Sequence, residues 1–284
     1  MAEVLTNKDN FLKSGFCVVR NLFNDEEIKR YQKEIEEICE KKGTKNAMDL
    51  YNYRNTWDYI VNARLLSILR NLLGSNVYYL HDMTIVNSNH TKPNSYSWHR
   101  DNPCRITGKG PDWDKNFPYN VVSTITYLTP NEVTNSGLSV IPFSHKNNYA
   151  YTFSNILRIF HYRTKNIKYL KFIRDYIEKK ISTIIRTDPG DCIIFLCNLF
   201  HTGLPSKGIR QTIQTRFGSN GKHSENFVNY TLKYRKETFY EINNNNKETV
   251  EDFFDLLKKN NIYYPVAEKK ENIEGVKVPK YEKN

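Results

Sequence analysis

Apolar side chains change their spacing along this chain, and each change predicts a change of element. Residues 15–23, GFCVVRNLF, are a short β-branched and aromatic run that predicts a strand. Asn24 follows as a helix N-cap, with Glu27 three residues on as its capping-box partner. Ile28, Tyr31, Ile35 and Ile38 then recur at helical spacing on one face, and Gly43 ends that helix. A second helix is predicted over 63–73, stopped by Gly74. Beyond it the period shortens. Residues 76–87, 121–128, 138–142, 191–197 and 210–217 are short β-branched or aromatic runs separated by Pro, Gly, Asn and Asp, and they read as strands. Strands gathered in the middle and flanked by helices predict a mainly β fold with helical additions (α+β): a sandwich or barrel with helical buttresses.

One segment interrupts the strands. Between His145 and Arg186 the chain reads as helix, with Ile167, Leu170, Ile173, Ile177, Ile181 and Ile184 on one stripe. That makes a helical insertion over about 147–186 between two strands of the core. A further helix is predicted over 249–259, followed by a charged tail. No Gly/Ser/Pro-rich linker divides the chain and no internal repeat is evident. The expected organisation is one domain over 1–246, with a C-terminal helix and tail over 247–284.

Composition narrows the function classes. At 284 residues, 39% hydrophobic and 13% aromatic, the chain can bury a full core and is not a disordered sequence. Its net charge of +11 favours anionic partners: a carboxylate or phosphate substrate, a membrane surface or nucleic acid. The alternative is a Lys/Asn/Ile/Tyr-rich compositional bias, to which the Asn run at 243–246 also points. The charge is concentrated: 151–186 holds nine basic residues against two acidic ones. Met1 to Lys13 has no apolar signal core, and no apolar run approaches transmembrane length, so a soluble, cytoplasmic protein is expected. The five cysteines lack CxxC spacing and indicate neither a disulfide framework nor a zinc site.

The candidate chemistry lies in a few residues. His99 and Asp101 are two apart in Trp98-His99-Arg100-Asp101, and in a strand such residues project from one face. An imidazole and a carboxylate so placed supply two thirds of a 2-His-1-carboxylate facial triad. Alone, the pair is weak evidence. Pro189-Gly190-Asp191 then turns into the apolar strand 192–197, which runs up to His201 at a position able to reach a barrel mouth. After the turn at 205–208, a hairpin would bring Arg210 beside the strand of His201, where a guanidinium could clamp a carboxylate through two parallel bonds. Arg216 shares the strand parity of Arg210 and is the alternative clamp, but it lies about 20 Å further along at ~3.3 Å per residue. It could instead bind substrate with Gln214, or be an ordinary solvated or paired arginine. His145 follows Pro142-Phe143-Ser144 and reads as fold-supporting. His81, His90, His161 and His223 read as satisfied or solvated, with His81 held in reserve because its strand leads toward the pocket. Trp98 reads as packing.

These motifs resemble the phytanoyl-CoA dioxygenase family of iron(II)/2-oxoglutarate oxygenases. The matching pieces begin with Gly15-Phe16-Cys17-Val18-Val19-Arg20, its Asp25-Glu26-Glu27 helix, and Trp98-His99-Arg100-Asp101. They continue through Tyr127-Leu128-Thr129, 135–142 and Ser144-His145-Lys146 to Pro189-Gly190-Asp191, His201-Thr202-Gly203 and Arg210, in the family's order over roughly 10–220. The resemblance implies a double-stranded β-helix (jelly roll), with His99, Asp101 and His201 as the catalytic iron(II) ligands. It also implies Arg210 on the distal carboxylate of 2-oxoglutarate, and Met83 and Thr126 in contact with that co-substrate. Gly203 stands where a hydroxyl residue often helps hold the carboxylate, a departure that could shift the burden to Thr202 or Thr212. The implied reaction consumes O2 and 2-oxoglutarate, releases succinate and CO2, and hydroxylates a C–H bond of a small, anionic or carrier-linked substrate, with ascorbate in support. Asp101 argues against halogenation, which needs that ligand position vacant for halide.

Three other readings share parts of this pattern. A nucleic-acid demethylase would suit the positive charge and the same iron site, but no basic-aromatic track for stacking single strands is evident. A metal-free jelly-roll binding protein would not need the four residues together. A zinc hydrolase would leave Arg210 without a role.

Overall fold

The computed structural model describes residues 8–48, 53–90, 97–101, 119–146, 156, 168–234 and 247–263. Two sheets face one another. The larger runs β1 (Phe16–Val19), β7 (Cys192–Leu196), β4 (Val121–Tyr127), β9 (Gly208–Ser219), β3 (Val77–His90) and β10 (Ile262–Tyr263), with β2 (Asn46–Met48) also paired to β3. The smaller runs β6 (Thr183–Ile185), β5 (Leu138–Val140) and β8 (His201–Gly203). All pairings are antiparallel except that of β10 with β3. The helices are α1 (Lys8–Ser14), α2 (Asp25–Lys41), α3 (Trp57–Ile60), α4 (Ala63–Leu73), α5 (Asn131–Thr134), α6 (Lys168–Ile181), α7 (Lys222–Tyr234) and α8 (Lys247–Lys259). The fold is the mixed α+β, jelly-roll type expected.

Local signals built the helices where the sequence predicts them. Asn24 accepts from the Glu27 backbone N–H at 2.9 Å while the Glu27 carboxylate accepts from the Asn24 N–H at 2.8 Å, closing the capping box. Ile28, Tyr31, Ile35 and Ile38 are all buried. α4 spans 63–73 as predicted, and Gly74 ends it at φ +101°.

Each face of the main sheet has its own core. On the outer face α2, α3, α4 and α8 pack against Met83, Ile85, Val122, Ile194, Ile213 and Phe217. Phe253 and Leu257 of α8 belong to this core, and β10 extends the sheet, so the C-terminal helix is built into the same body. The inner face carries Ile125, Tyr127, Ile193 and Phe195, which meet Leu138, Val140 and Ile185 of the small sheet. Pro189-Gly190-Asp191 is the corner that holds β1 to β7. Gly190 sits at φ +90°, where a Cβ would fall 2.4 Å from the Phe23 carbonyl. Asp191 accepts from the Arg20 guanidinium at 2.5 Å and from the Asn21 N–H at 2.9 Å.

Part of the predicted insertion is helix: α6 covers 168–181, and Ile181 packs beside Trp98, Ile141 and Phe200. Ile184 does not continue that stripe. It lies in β6, pairs with Ser139 and is 47% exposed, because pairing with β5 imposes a strand period there. Residues 147–155 and 157–167 of the insertion, and the tail beyond 263, lie outside the described residues. Among the described residues no helix is long and apolar enough to cross a membrane.

Candidate metal centre

The two histidine segments are locked together by backbone bonds. The His99 N–H donates to the His201 carbonyl at 2.8 Å, and the His201 N–H returns to the His99 carbonyl at 2.9 Å. The Asp101 N–H donates to the Cys197 carbonyl at 2.8 Å. Arg100, between the two candidate ligands, is fully buried and pins the segment from its far side. Its Nε donates to the Asn198 carbonyl at 2.7 Å and its Nη2 to the Ser144 carbonyl at 3.1 Å, with the guanidinium over the Phe200 ring. Trp98 stacks on that same ring, in packing as expected.

His99, Asp101 and His201 each turn one ligand atom into a common space, all within 4.8 Å of one another. His99 Nδ1 lies 2.6 Å from the Ser97 carbonyl and His201 Nδ1 lies 2.9 Å from the Leu199 carbonyl. A carbonyl only accepts, so each Nδ1 carries the proton and each Nε2 is bare. The bare nitrogens stand 3.4 Å and 3.7 Å from Asp101 Oδ1. Three lone-pair donors face one another with no proton between them, which is a stable arrangement once a cation lies among them. Burial and the neighbouring His99 push His201 down to about 3, partly opposed by Asp101, so it remains a neutral ligand. Burial alone would raise Asp101, but the buried Arg216 guanidinium outweighs it and holds the carboxyl well below its usual range. The residues fit a divalent metal of the iron type, two imidazoles and a carboxylate with open positions.

Arg210 reaches this space by a different route from the expected hairpin. β8 pairs with β5 in the small sheet while β9 pairs with β4 and β3 in the large one, so 204–207 crosses between sheets. The guanidinium comes up to Gly203, where a Cβ would be 3.7 Å from Nη1. Gly203 is two residues along β8 from His201, on the same face. Among the described residues Arg210 has no carboxylate partner. Among the described residues, its Nε, Thr212 Oγ1 and Ser88 Oγ are buried without hydrogen-bond partners. Ser88 is opposite Arg210 in the ladder and Val86 opposite Thr212, so these orphaned atoms share one face. Buried polar atoms left unpaired in a cluster call for a ligand. Thr202, the other hydroxyl candidate, is already engaged: its Oγ1 accepts from the Ser97 N–H at 2.9 Å and donates to the Gly203 carbonyl at 3.1 Å.

Met83 and Thr126 are not brought to this face. Thr126 Oγ1 is bonded to the Tyr59 hydroxyl at 2.9 Å, and Met83 packs in the outer core beneath the helices. The inner positions are their strand neighbours, Thr84 opposite Gln214 and Tyr127 opposite Thr212. All seven residues of β4 are buried, so its sequence has no polar alternation to reveal which face turns inward. His81 packs between Tyr79 and Phe254 on the helical side. His145 supports the fold as predicted: its Nε2 lies 3.0 Å from the Leu12 carbonyl, its ring excludes a side chain at Gly15, and burial pushes it down to about 4.

Fold and geometry together give a jelly-roll protein with a candidate His-Asp-His metal centre. The phytanoyl-CoA dioxygenase (PhyH) model matches residues 11–212, and the chain belongs to that family of iron(II)/2-oxoglutarate-dependent oxygenases. Iron and 2-oxoglutarate are accordingly its cofactor and co-substrate. Among curated proteins, no relative matches by sequence. Solved structures share the fold at low identity. HygX from Streptomyces hygroscopicus, with nickel and 2-oxoglutarate bound, superposes with a TM-score of 0.58 at 17% identity, over 78% of this chain and 88% of that one. EctD from S. alaskensis, with 2-oxoglutarate and 5-hydroxyectoine, gives 0.53 at 18% identity over 75% and 74%. The carbocyclase SnoK from nogalamycin biosynthesis gives 0.55 at 14% identity over 76% and 85%.

Proposed function

We propose that this oxygenase hydroxylates a C–H bond of a small anionic substrate, with iron(II) held by His99, Asp101 and His201 and 2-oxoglutarate anchored by Arg210. The carrying observation is that the ligand atoms of His99, Asp101 and His201 converge within 4.8 Å while the Arg210 guanidinium, which has no carboxylate partner among the described residues, comes up to Gly203 two residues along the same strand from His201. Iron(II) chelated by 2-oxoglutarate supplies oxygen activation there, with succinate and CO2 as co-products.

The protein's own contribution is placement and charge. The Ser97 and Leu199 carbonyls fix both imidazoles as Nδ1–H tautomers, so the ring orientation does not have to be found during binding. Arg210, with the Thr212 and Ser88 hydroxyls, receives the distal carboxylate about one residue-pair from the metal. This fixes which end of the co-substrate faces the metal. Phe195, its ring 4.6 Å from that of His201, joins Ile193 and Ile125 in the buried apolar core behind the site and would limit water access from that side. His99, with 34% of its side chain exposed, lies on the open side, where substrate would approach. The anionic class rests on the basic composition of 151–186, whose described helix ends with Ile181 against Trp98, next to His99. Carbocyclisation in a structural neighbour makes a rearrangement at the abstracted carbon the second reading.

Anaerobic addition of iron(II) and 2-oxoglutarate should produce the weak visible absorption of the metal–2-oxoglutarate chelate. Under air, carboxylate- or phosphate-bearing compounds should then accelerate succinate release with a KM that rises with salt. Absence of the chelate band would remove the oxygenase assignment of this site. Stimulation only by neutral compounds, independent of salt, would remove the anionic class.

A further inference from the structure

The Asp101 carboxylate divides its two oxygens between different partners. Oδ1 faces the bare nitrogens of His99 and His201 at 3.4 and 3.7 Å, while Oδ2 accepts from Arg216 Nη2 at 2.9 Å. Arg216 is itself 5% exposed and fixed at its other nitrogen, where Nη1 donates to Asp82 Oδ1 at 3.3 Å. Asp82 reaches it through an irregularity in β3. Tyr79 to Met83 is four residues, opposed by the two-residue step from Phe217 to Thr215, and His81 within the bulge adopts φ +53°. Two residues leave the ladder, and the carboxylate of Asp82, 1% exposed, turns toward the guanidinium. A bulge sacrifices ladder bonds, and a buried ion pair returns little net stability against an apolar substitute. Stability therefore gives no strong reason for this arrangement beside a metal site.

We propose that Arg216, anchored by Asp82, is a positioning residue that reserves Asp101 Oδ2 and so restricts Asp101 to one-oxygen ligation of the metal. The proposal rests on the iron/2-oxoglutarate reading above. A carboxylate with both oxygens free can bind a cation through one or both. An octahedral metal with three protein atoms has room for a two-atom chelate and one further position. A fourth protein atom would take a position from the co-substrate or from oxygen. Arg216 prevents this by occupying Oδ2 with a charge-assisted bond. Charge is kept in proportion as well. Asp82, Arg216 and Asp101 together carry one negative charge, as Asp101 alone would, so the site can hold a divalent ion without an excess of buried anions.

That equality provides the test. The double variant Asp82→Asn/Arg216→Met leaves the same net charge but frees Oδ2. Cobalt(II) is the metal probe, because its visible spectrum reports coordination number, and 2-oxoglutarate is titrated into the cobalt-loaded protein. Thermal melts of the metal-free proteins verify folding. We expect cobalt affinity within about threefold of wild type, an altered cobalt spectrum before co-substrate is added, and 2-oxoglutarate affinity lowered by about tenfold or more. Arg216→Lys, which keeps the charge and a donor, should recover most of that affinity. If the double variant does not fold, Asp82→Asn alone decides, with an expected loss of about threefold in 2-oxoglutarate affinity and the same direction of spectral change. A folded variant with the wild-type spectrum and 2-oxoglutarate affinity would overturn the proposal, leaving Arg216 as a structural ion pair. So would a collapse of cobalt affinity itself in the charge-matched variant. Failure of wild-type protein to bind cobalt would overturn the parent reading too, and is distinguished by being seen before any substitution.

Discussion

Arg210→Ala should separate co-substrate binding from stability. Arg210 has no carboxylate partner among the described residues, and its Nε is buried without an acceptor. Its removal therefore breaks no ion pair among the described residues, and the melting temperature of the ligand-free protein should move by no more than a surface substitution allows, about 0.5 kcal/mol. Binding is another matter. Leaving a bound carboxylate without its buried cation costs about 2–5 kcal/mol, or roughly 30- to 4000-fold in Kd. The two effects can be read in one assay, the thermal shift of metal-loaded protein with and without 2-oxoglutarate. At a concentration 100 times Kd, a ligand stabilises by about 2.7 kcal/mol; a 100-fold weaker variant keeps only about 0.4 kcal/mol at the same concentration. At about 2–4 °C per kcal/mol for a chain of this size class, a shift of about 5–10 °C should collapse to about 1–2 °C. Arg210→Lys should recover only part of it, because an ammonium is not a planar fork. A full ligand shift in Arg210→Ala would refute the clamp. A melting temperature lowered by many degrees without ligand would show instead that Arg210 holds the fold.

Thr126→Val should lower stability by about 1–3 kcal/mol, from the lost bond to the buried Tyr59 hydroxyl, while 2-oxoglutarate affinity is unchanged; weakened co-substrate binding would return Thr126 to the pocket face. Glu34→Gln tests a pH linkage. Burial first, then the charge of Asp58, pushes Glu34 up to about 7, against the pull of Arg30. The folded protein then keeps a proton that the unfolded chain releases above about 4.5, so this group lowers stability progressively as pH rises from there to about 7. Glu34→Gln should accordingly raise the melting temperature relative to wild type at pH 8 and change it little at pH 4.5. An equal difference at both values would show that Glu34 is not the titrating group.

Most of the local structure could be read from short stretches because short-range physics sets it. The capping box at Asn24 and Glu27, the apolar stripe of α2 and the glycine after α4 act within one or two helical turns, and the structure follows them closely. The convergence of the three candidate metal ligands was legible for a related reason. His99 and Asp101 are spaced by strand geometry, and His201 follows an unmistakable buried strand. The bonds that set their tautomers come from carbonyls two residues away, at Ser97 and Leu199.

Decisions that depend on which face of a strand turns inward, or on contacts between distant segments, came only with the folded chain. β4 and β7 are buried on both sides, so parity cannot be read from their composition, and Thr126 fell on the helical side. The bulge at 80–82 is set by pairing with β9, more than 120 residues away in sequence by the register of Tyr79 with Phe217, and it makes Asp82 a partner of Arg216. Arg216 read as an alternative clamp, a substrate contact or an ordinary solvated or paired arginine; it is paired, but with partners that strand spacing could not name, because spacing gives its distance from Arg210 and not what lies across the barrel. Gly203 and Arg210 likewise meet between sheets rather than along a hairpin. The candidate metal-binding residues were therefore specified by local spacing and backbone geometry, while the pairing of Arg216 with Asp101 and the approach of Arg210 to Gly203 were specified by long-range strand register, which one-dimensional periodicity does not encode.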